Sequence, residues 1–368
     1  MHILINALAA KFGGGLTYLV NLIPEIGVID QNNHYTILVS KRLNLDLPPN
    51  MKQVVVNIDS VLFRIFYEQC VLPFYSKKIK ADILYSPHDV TTLLAPCRTI
   101  LAMRNPCLYT QLNQEWGMKD TIRIKILSRL AKLSARRADC ILFVSEDSKN
   151  WISSNLGLNH TKLRWVHHGI KIPNTQGNTI PDNIRSKYLL SVSSIYYYKN
   201  YVRLVEAYAK LLEEYRLEED LIIIGKELDK PYSLKLRTII ASLGLQERVK
   251  LLGNIPYREI FHYYKNASLF VFPSYLETFG HPLLESMAMG IPVVASDIGV
   301  FREICADAAV YFDPLNSKNI GEKLLTTLKN PQLQETMRQR GLERVKAFSW
   351  EKTAQETLKV FEELYDLH

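Results

Sequence analysis

Short apolar runs alternate with longer amphipathic segments along the whole of this 368-residue chain, and the alternation is interrupted once. In the first half, Met1–Asn6, Tyr35–Ser40, Gln53–Ile58, Ile83–Ser86, Arg98–Met103 and Cys140–Ser145 read as strands. Helical stretches such as Leu16–Ile26, Arg64–Lys78 and Lys119–Arg137 lie between them. A βαβα order of this kind leads to mainly parallel sheets with helices on both faces. Residues 172–187 interrupt it, being rich in Pro, Asn and Gly and poor in large apolar side chains, as expected of a linker. Beyond them, Tyr188–Ser193, Leu221–Gly225, Val249–Leu252, Ser268–Phe272, Pro292–Ser296 and Ala309–Phe312 restart the strand pattern. Asn319–Leu328, Gln332–Ala347 and Trp350–Leu364 read as helices. Two Rossmann-like, doubly wound α/β domains are therefore expected, 1–171 and 188–349, with strand carboxyl ends facing a central cleft.

Composition removes whole classes of function. With 47% hydrophobic and 22% charged residues the chain is neither disordered nor fibrous. No apolar run approaches the roughly 20 residues of a membrane span. The opening residues lack the basic and small-residue marks of a signal peptide. Five scattered cysteines without a C-x-x-C pair suit reduced thiols and a cytoplasmic location rather than a zinc site. The charge is lopsided. Residues 1–175 carry 21 Lys and Arg against 12 Asp and Glu, net +9, whereas residues 176–368 carry 24 against 25, net −1. A basic first half suits an anionic partner, such as a phospholipid surface or a lipid-linked phosphate. Six of its cations, Arg123, Lys125, Arg129, Lys132, Arg136 and Arg137, fall on one helical stretch. No zinc-finger spacing or RNA-binding aromatic motif accompanies them, so nucleic acid is not expected as a partner.

Four places carry groups suited to chemistry. Phe12-Gly13-Gly14-Gly15 follows the first strand, where glycines admit a ligand close to the backbone and the next helix start can meet phosphate. Lys199 follows the first strand of the second half, after Ser193-Ser194. Gly253-Asn254-Ile255 follows another strand and could pair with a flat base edge. The most informative stretch runs from Phe272 to Glu285, through Glu277-Thr278-Phe279-Gly280-His281-Pro282. It places one carboxylate in a loop, a second about one turn into a helix, and the Gly280 and His281 amides near that helix's positive end. Such a set suits a sugar nucleotide: one carboxylate for sugar hydroxyls, amides for the diphosphate, the other carboxylate for the ribose diol.

Glu277 and Glu285 form an E-x7-E spacing within Pro-Ser-x-x-Glu-x-Phe-Gly, followed by Met-Ala-Met-Gly-Ile-Pro-Val-Val-Ala-Ser-Asp over 287–297. On these residues the chain resembles the family-4 retaining glycosyltransferases of the GT-B fold. The resemblance runs from Tyr188 to about Trp350 and is looser in the first half, through the glycine loop and Asp82-Ile83-Leu84-Tyr85-Ser86-Pro87-His88. It implies transfer of a hexose-type sugar from a UDP- or GDP-sugar to a hydroxyl of a glycan or lipid-linked acceptor. Anomeric configuration would be retained, with no metal or other cofactor. It implies cell-surface polysaccharide or glycolipid synthesis in the cytoplasm, peripheral to the inner face of the membrane. Carried over position by position, Lys199 meets the donor diphosphate, with Ser194 beside it. Glu277 meets the sugar, with Thr278, Phe279, Gly280 and His281 around it. Glu285 holds ribose, Gly253, Asn254 and Ile255 frame the base, and Gly14 and Gly15 approach the phosphates. Residues 350–368 would form a helix crossing back to the first domain.

Two departures stand out. Ser193-Ser194 occupies the place where the family often has Gly-Arg, which removes a cation from the diphosphate site. Arg104-Asn105 stands where many members have a catalytic His, leaving Arg104, Asn105 and His88 as alternatives for that role. A GT-B epimerase or phosphorylase, and a catalytically silent sugar-nucleotide-binding scaffold, are the competing readings. A Rossmann dehydrogenase is disfavoured because the glycine loop lacks G-x-G-x-x-G.

Overall fold

The computed structural model describes all residues except 12, 59, 111–117, 174–183, 185, 186, 216, 367 and 368, with residues 118–121 described by backbone alone. Phe12 and most of the expected linker at 172–187 thus lie outside the described residues. Among those described, the chain divides into two compact units, 1–169 with 348–366, and 170–347.

The first unit holds seven parallel strands: β1 (His2–Asn6), β2 (His34–Val39), β3 (Met51–Val55), β4 (Ile83–Ser86), β5 (Arg98–Met103), β6 (Cys140–Phe143) and β7 (Leu163–Trp165). Their order is β3-β2-β1-β4-β5-β6-β7, so the winding reverses between β1 and β4. Both sheet faces are covered, and alternate residues of one strand serve different cores. Ile3 and Ile5 pack on one side of β1, Leu4 on the other. Before the second unit begins, this sheet is flanked by α1 (Gly13–Ile29), α2 (Val61–Phe66), α3 (Leu72–Lys78), α4 (Met118–Arg137) and α5 (Glu146–Leu156).

The second unit repeats the plan with β8 (Tyr188–Val192), β9 (Asp220–Ile224), β10 (Val249–Gly253), β11 (Leu269–Phe272), β12 (Val293–Ser296) and β13 (Ala309–Phe312). Their order, β10-β9-β8-β11-β12-β13, reverses between β8 and β11. Around this sheet lie α6 (Tyr201–Tyr215), α7 (Lys230–Ser242), α8 (Tyr257–Asn266), α9 (His281–Ala288), α10 (Gly299–Cys305), α11 (Ser317–Leu328) and α12 (Pro331–Arg344). The last helix, α13 (Trp350–Asp366), belongs to the core of the first unit. Trp350, Leu358, Phe361 and Leu364 pack with residues of α1 and β1, and Phe361 meets the Tyr85 ring at 5.4 Å.

Four elements differ from the sequence reading. β3 covers Met51–Val55 rather than Gln53–Ile58, its pairing with β2 beginning at Tyr35 opposite Met51 and ending at Val39 opposite Val55. α1 begins at Gly13 rather than Leu16, so Gly14 and Gly15 form its first turn instead of a loop. The helix expected from Arg64 starts at Val61 and changes to a wide π turn over Tyr67–Val71 before α3. Pro73 gives the reason: it has no N–H for the Gln69 carbonyl and its ring crowds that carbonyl, so the ladder ahead of it widens. The Leu72 N–H accordingly reaches Tyr67 O, five residues back. β7, three residues long, is too short to show a period.

Because Phe361 is fully buried between α13 and the sheet, Phe361→Ala should lower unfolding free energy by about 3–5 kcal/mol, read by urea denaturation. A loss below about 1 kcal/mol would mean that α13 is not part of the first unit's core.

Candidate functional site

In an open parallel sheet, ligands gather at the carboxyl ends of the strands where the winding reverses. In the second unit that point lies between β8 and β11, and the loops leaving these two strands carry Lys199 and Glu277. After β8 the chain turns at Ser193-Ser194 and makes a short 3-10 turn, Tyr197–Lys199. It enters α6 through Asn200, which takes a left-handed conformation (φ 62°) that Asn tolerates better than most residues. Asn200 is buried, and its amide donates to the carbonyls of Pro273 (3.1 Å) and Pro314 (2.7 Å). One side chain thereby ties the Lys199 turn to the loops after β11 and β13. The Tyr275 N–H adds a 3.1 Å bond to Tyr198 O. Gly225, just past β9, is a steric necessity, since a Cβ there would fall 1.8 Å from the Ser193 carbonyl oxygen.

On this scaffold the Lys199 ammonium is bonded to Glu277 Oε1, which also accepts from Ser274 Oγ at 2.9 Å. Both side chains of the pair are mostly shielded, 11% and 13% exposed. The Lys199 ammonium also lies 5.1 Å from the Tyr198 ring centre and 5.4 Å from that of Phe272. Arg203, in the first turn of α6, bonds Asn200 Oδ1 at 3.0 Å and brings a second cation to this loop. No local pattern in the sequence marks Arg203 or the pinning role of Asn200.

Glu277 leads into α9 through Thr278, Phe279 and Gly280. Gly280 precedes the helix at φ 113°, a backbone that L side chains rarely adopt. Pro282 lacks an N–H, and the Leu283 N–H closes on Gly280 O at 3.0 Å, so the amides ahead of the first turn are those of Gly280 and His281. Thr278 and Phe279 are buried, and the Phe279 and His281 rings meet edge to face at 5.1 Å.

Glu285 departs from expectation. Expected at a cleft rather than in a core, it is buried, with 6% of its surface exposed. Its two oxygens accept from Tyr257 (3.0 Å) and Tyr264 (2.9 Å). Burial pushes its pKa above the ordinary carboxylate value, and the two phenol bonds oppose the shift. Tyr257 opens α8, one residue (Pro256) after Gly253-Asn254-Ile255 at the end of β10, so Glu285 is joined through a phenol to the helix that this loop enters. Gly253 has φ 68° and Asn254 is exposed. Neither tyrosine carried a signal in the sequence.

In the first unit the winding reverses between β1 and β4, and a polar group is buried there too. Glu68, on the π turn, is fully buried. Its Oε1 accepts from Asn6 Nδ2, at the end of β1, at 3.2 Å, and lies 3.0 Å from His88 Nε2, just past β4. Arg64 Nε stands 3.8 Å from Oε2. His88 Nδ1 is buried without a hydrogen-bond partner. With Nε2 donating to Glu68, a neutral ring keeps its lone pair on Nδ1. The other two alternatives for the expected His are committed elsewhere. Arg104 Cζ stands over the Tyr18 ring, 3.4 Å from its centre, and Asn105 Oδ1 accepts from the Cys107 N–H at 3.1 Å. The Arg104 and Asn105 amides both donate to Asp89. Gly14 and Gly15 stand at the start of α1, where a Cβ on Gly14 would meet nothing within 4 Å.

Residues 178–344 match the model of the glycosyl transferases group 1. The chain is 27% identical over 222 residues to the O-antigen chain mannosyltransferase RfbU of Salmonella typhimurium, an alignment covering 60% of each chain. It is 28% identical over 248 residues to the N-acetylgalactosamine-N,N'-diacetylbacillosaminyl-diphospho-undecaprenol 4-alpha-N-acetylgalactosaminyltransferase of Campylobacter jejuni, covering 66% of this chain and 65% of the relative. The matches thus span under two thirds of these relatives. Among solved structures, sucrose-phosphate synthase from Thermosynechococcus elongatus superposes with TM-score 0.78 at 18% identity over 100% of both chains. Anabaena Alr3699/HepE, solved with UDP and glucose, gives 0.71 at 17% identity over 99% of this chain and 100% of that one. These likenesses show the fold: two Rossmann-like parallel-sheet units of the GT-B class.

The raised pKa of Glu285 has a thermodynamic consequence. A carboxyl that ionises at higher pH when folded than the 4.5 of its unfolded form costs stability as pH rises through that window. Glu285→Gln removes this cost. The melting temperature of the variant relative to wild type should therefore climb between about pH 4 and pH 8; a constant difference would place Glu285 in water.

Proposed function

We propose that this chain is a retaining glycosyltransferase that moves a hexose-type sugar, a mannosyl group first among candidates, from a UDP- or GDP-sugar to a hydroxyl of a glycan or lipid-linked acceptor. The observation that carries the reading is the Lys199–Glu277 pair at the winding reversal of the second unit, next to the start of α9. The group 1 match over this unit and the O-antigen mannosyltransferase relative support it. The lipid-diphosphate named for the C. jejuni relative and the basic first half of this chain support a lipid-linked acceptor at the inner face of the membrane.

In this reading the donor diphosphate binds at Lys199, Ser194 and the Gly280 and His281 amides, sharing the ammonium with Glu277. As the glycosidic bond breaks, charge develops on the leaving phosphate. Lys199 and the helix start stabilise it without reorganising, and Arg203 supplies part of what the missing family Arg would give. Glu277 and its neighbours Thr278 and Phe279 hold the transferred sugar. Glu285 acts on the ribose side with Tyr257, beside the base-framing loop Gly253-Asn254-Ile255. The reaction needs no metal, since the cations are side chains. For the first-unit His, geometry favours His88 over Arg104 and Asn105, because its Nδ1 lone pair is uncommitted.

Donor consumption and product formation, scanned over UDP- and GDP-sugars, test this. Lys199→Ala should lower kcat about 10²–10³-fold, and Glu277→Gln should lower kcat by about 10- to 150-fold, the worth of one charge-assisted bond. Glu285→Gln should act mainly on donor KM. EDTA should leave the rate unchanged. Wild-type turnover in both Lys199 and Glu277 variants would sink the assignment.

His88 separates into its two nitrogens. Gln at this position keeps an amide near Nε2 for Glu68 but nothing at Nδ1, whereas Asn does the reverse. If Nδ1 meets substrate, His88→Gln should lose at least about tenfold in kcat/KM with an unchanged melting temperature. His88→Asn should retain more activity and melt lower. The opposite ranking would make His88 only a support for Glu68.

A further inference from the structure

The helix running through α2, the π turn and α3 is inverted. An ordinary surface helix turns its apolar stripe inward, but the inward positions here are Arg64 and Glu68, followed by Leu72 and Ser76. The outward row is Phe63, Phe66, Cys70 and Phe74, with Leu62 beside it. These are large and open to solvent: Leu62 is 71% exposed, Phe63 52%, Phe66 55% and Phe74 76%. The wide turn keeps the row in line, since Phe66, Cys70 and Phe74 follow at four-residue steps. Gln69 holds the 91–93 segment against this helix through bonds to Thr91 O and the Leu93 N–H, and the next residue, Leu94, is 73% exposed. Exposed apolar side chains grouped like this mark an interaction surface rather than scattered surface hydrophobes.

The charges beside the row indicate what covers it. Lys77 and Lys78 close the same helix and Lys80 follows it, all exposed, and no acidic residue is exposed anywhere on the helix. Aromatic side chains flanked by lysines, on a helix whose polar groups are committed inward, are the composition of an element lying in a lipid headgroup layer. The surrounding first half carries net +9. We infer that the Phe63–Phe66–Phe74 face of residues 61–78 is the surface by which this protein docks on an anionic phospholipid bilayer, its phenylalanines entering the headgroup boundary and its lysines meeting lipid phosphates. The inference rests on the membrane-peripheral part of the proposed function and assigns it to this helix, distinct from the cationic α4, where Arg123, Lys125 and Arg129 are exposed beside Ile122, Ile126 and Leu133, smaller apolar groups than the phenylalanines of 61–78.

Sedimentation of the full chain with phosphatidylglycerol/phosphatidylcholine vesicles, and with phosphatidylcholine alone, tests it without reference to catalysis. Wild type should partition onto the anionic vesicles, and less so as salt rises from about 0.05 M to about 0.5 M. Phe63→Ser/Phe66→Ser/Phe74→Ser should weaken partition at least about tenfold with an unchanged melting temperature, these rings being exposed. Lys77→Glu/Lys78→Glu should remove most of the salt-dependent part. No wild-type binding would overturn the membrane reading as a whole. Wild-type binding kept in the Phe variant but lost in Arg123→Glu/Lys125→Glu/Arg129→Glu would overturn only this surface and move it to α4. A wild-type dimer that the Phe variant dissociates, with vesicle binding intact, would show that a second copy covers the face.

Discussion

A parallel sheet covered by helices on both faces leaves almost no place for charge except the ends of its strands. Both sheets here are built so, with strand interiors such as Ile3–Ile5 and Val293–Ala295 wholly buried and apolar. The groups able to do chemistry therefore collect where strands end, and most closely where the winding reverses and adjacent connections leave in opposite directions. Lys199 with Glu277 in one unit, and Asn6, Glu68 and His88 in the other, stand at equivalent points of two independent sheets. Asn200 and Gly225 are what that position demands of the backbone, one pinning three loops and the other yielding space to a neighbouring carbonyl.

The two carboxylates of the E-x7-E spacing live in different surroundings despite their closeness in sequence. Glu277 is paired with a cation and a hydroxyl, so its charge is answered at once. Glu285 is answered only by two phenols, and burial outweighs them. Burial in turn pushes the pKa of Tyr264 well above its ordinary value, with the neighbouring Glu285 adding to the shift, so the phenol stays a donor. A carboxylate held this way is rigid, oriented and costly, which suits a ligand contact whose geometry must not vary.

The helix over 61–78 shows one sequence answering two demands. Its inward face supplies Glu68 to the strand ends, with Leu72 buried behind it, and its phenylalanines point outward. Widening ahead of Pro73 keeps the two faces in register across the turn. In a chain selected only for folding, such an arrangement would be exchanged for the ordinary one, because exposed Phe66 and Phe74 contribute nothing to the core.

The sequence by itself determined the two α/β units and the positions of most strands, and it singled out Lys199, Glu277 and Glu285 as candidates, because period-2 and period-3.6 patterns and a dense local motif are short-range information. Ile83–Ser86, Arg98–Met103 and Ala309–Phe312 are strands over the very residues that the pattern indicates. Tertiary structure alone decided what depends on distant residues meeting. Tyr257 and Tyr264 reach Glu285 across 28 and 21 residues. Asn6 and His88 meet Glu68 from 62 and 20 residues away. None of these partners has a local signature, since a Tyr, Asn or His in a strand end or helix looks the same whether it faces solvent or a buried carboxylate. The burial of Glu285, the uncommitted nitrogen of His88 and the inverted helix follow from chain crossings that local pattern does not encode.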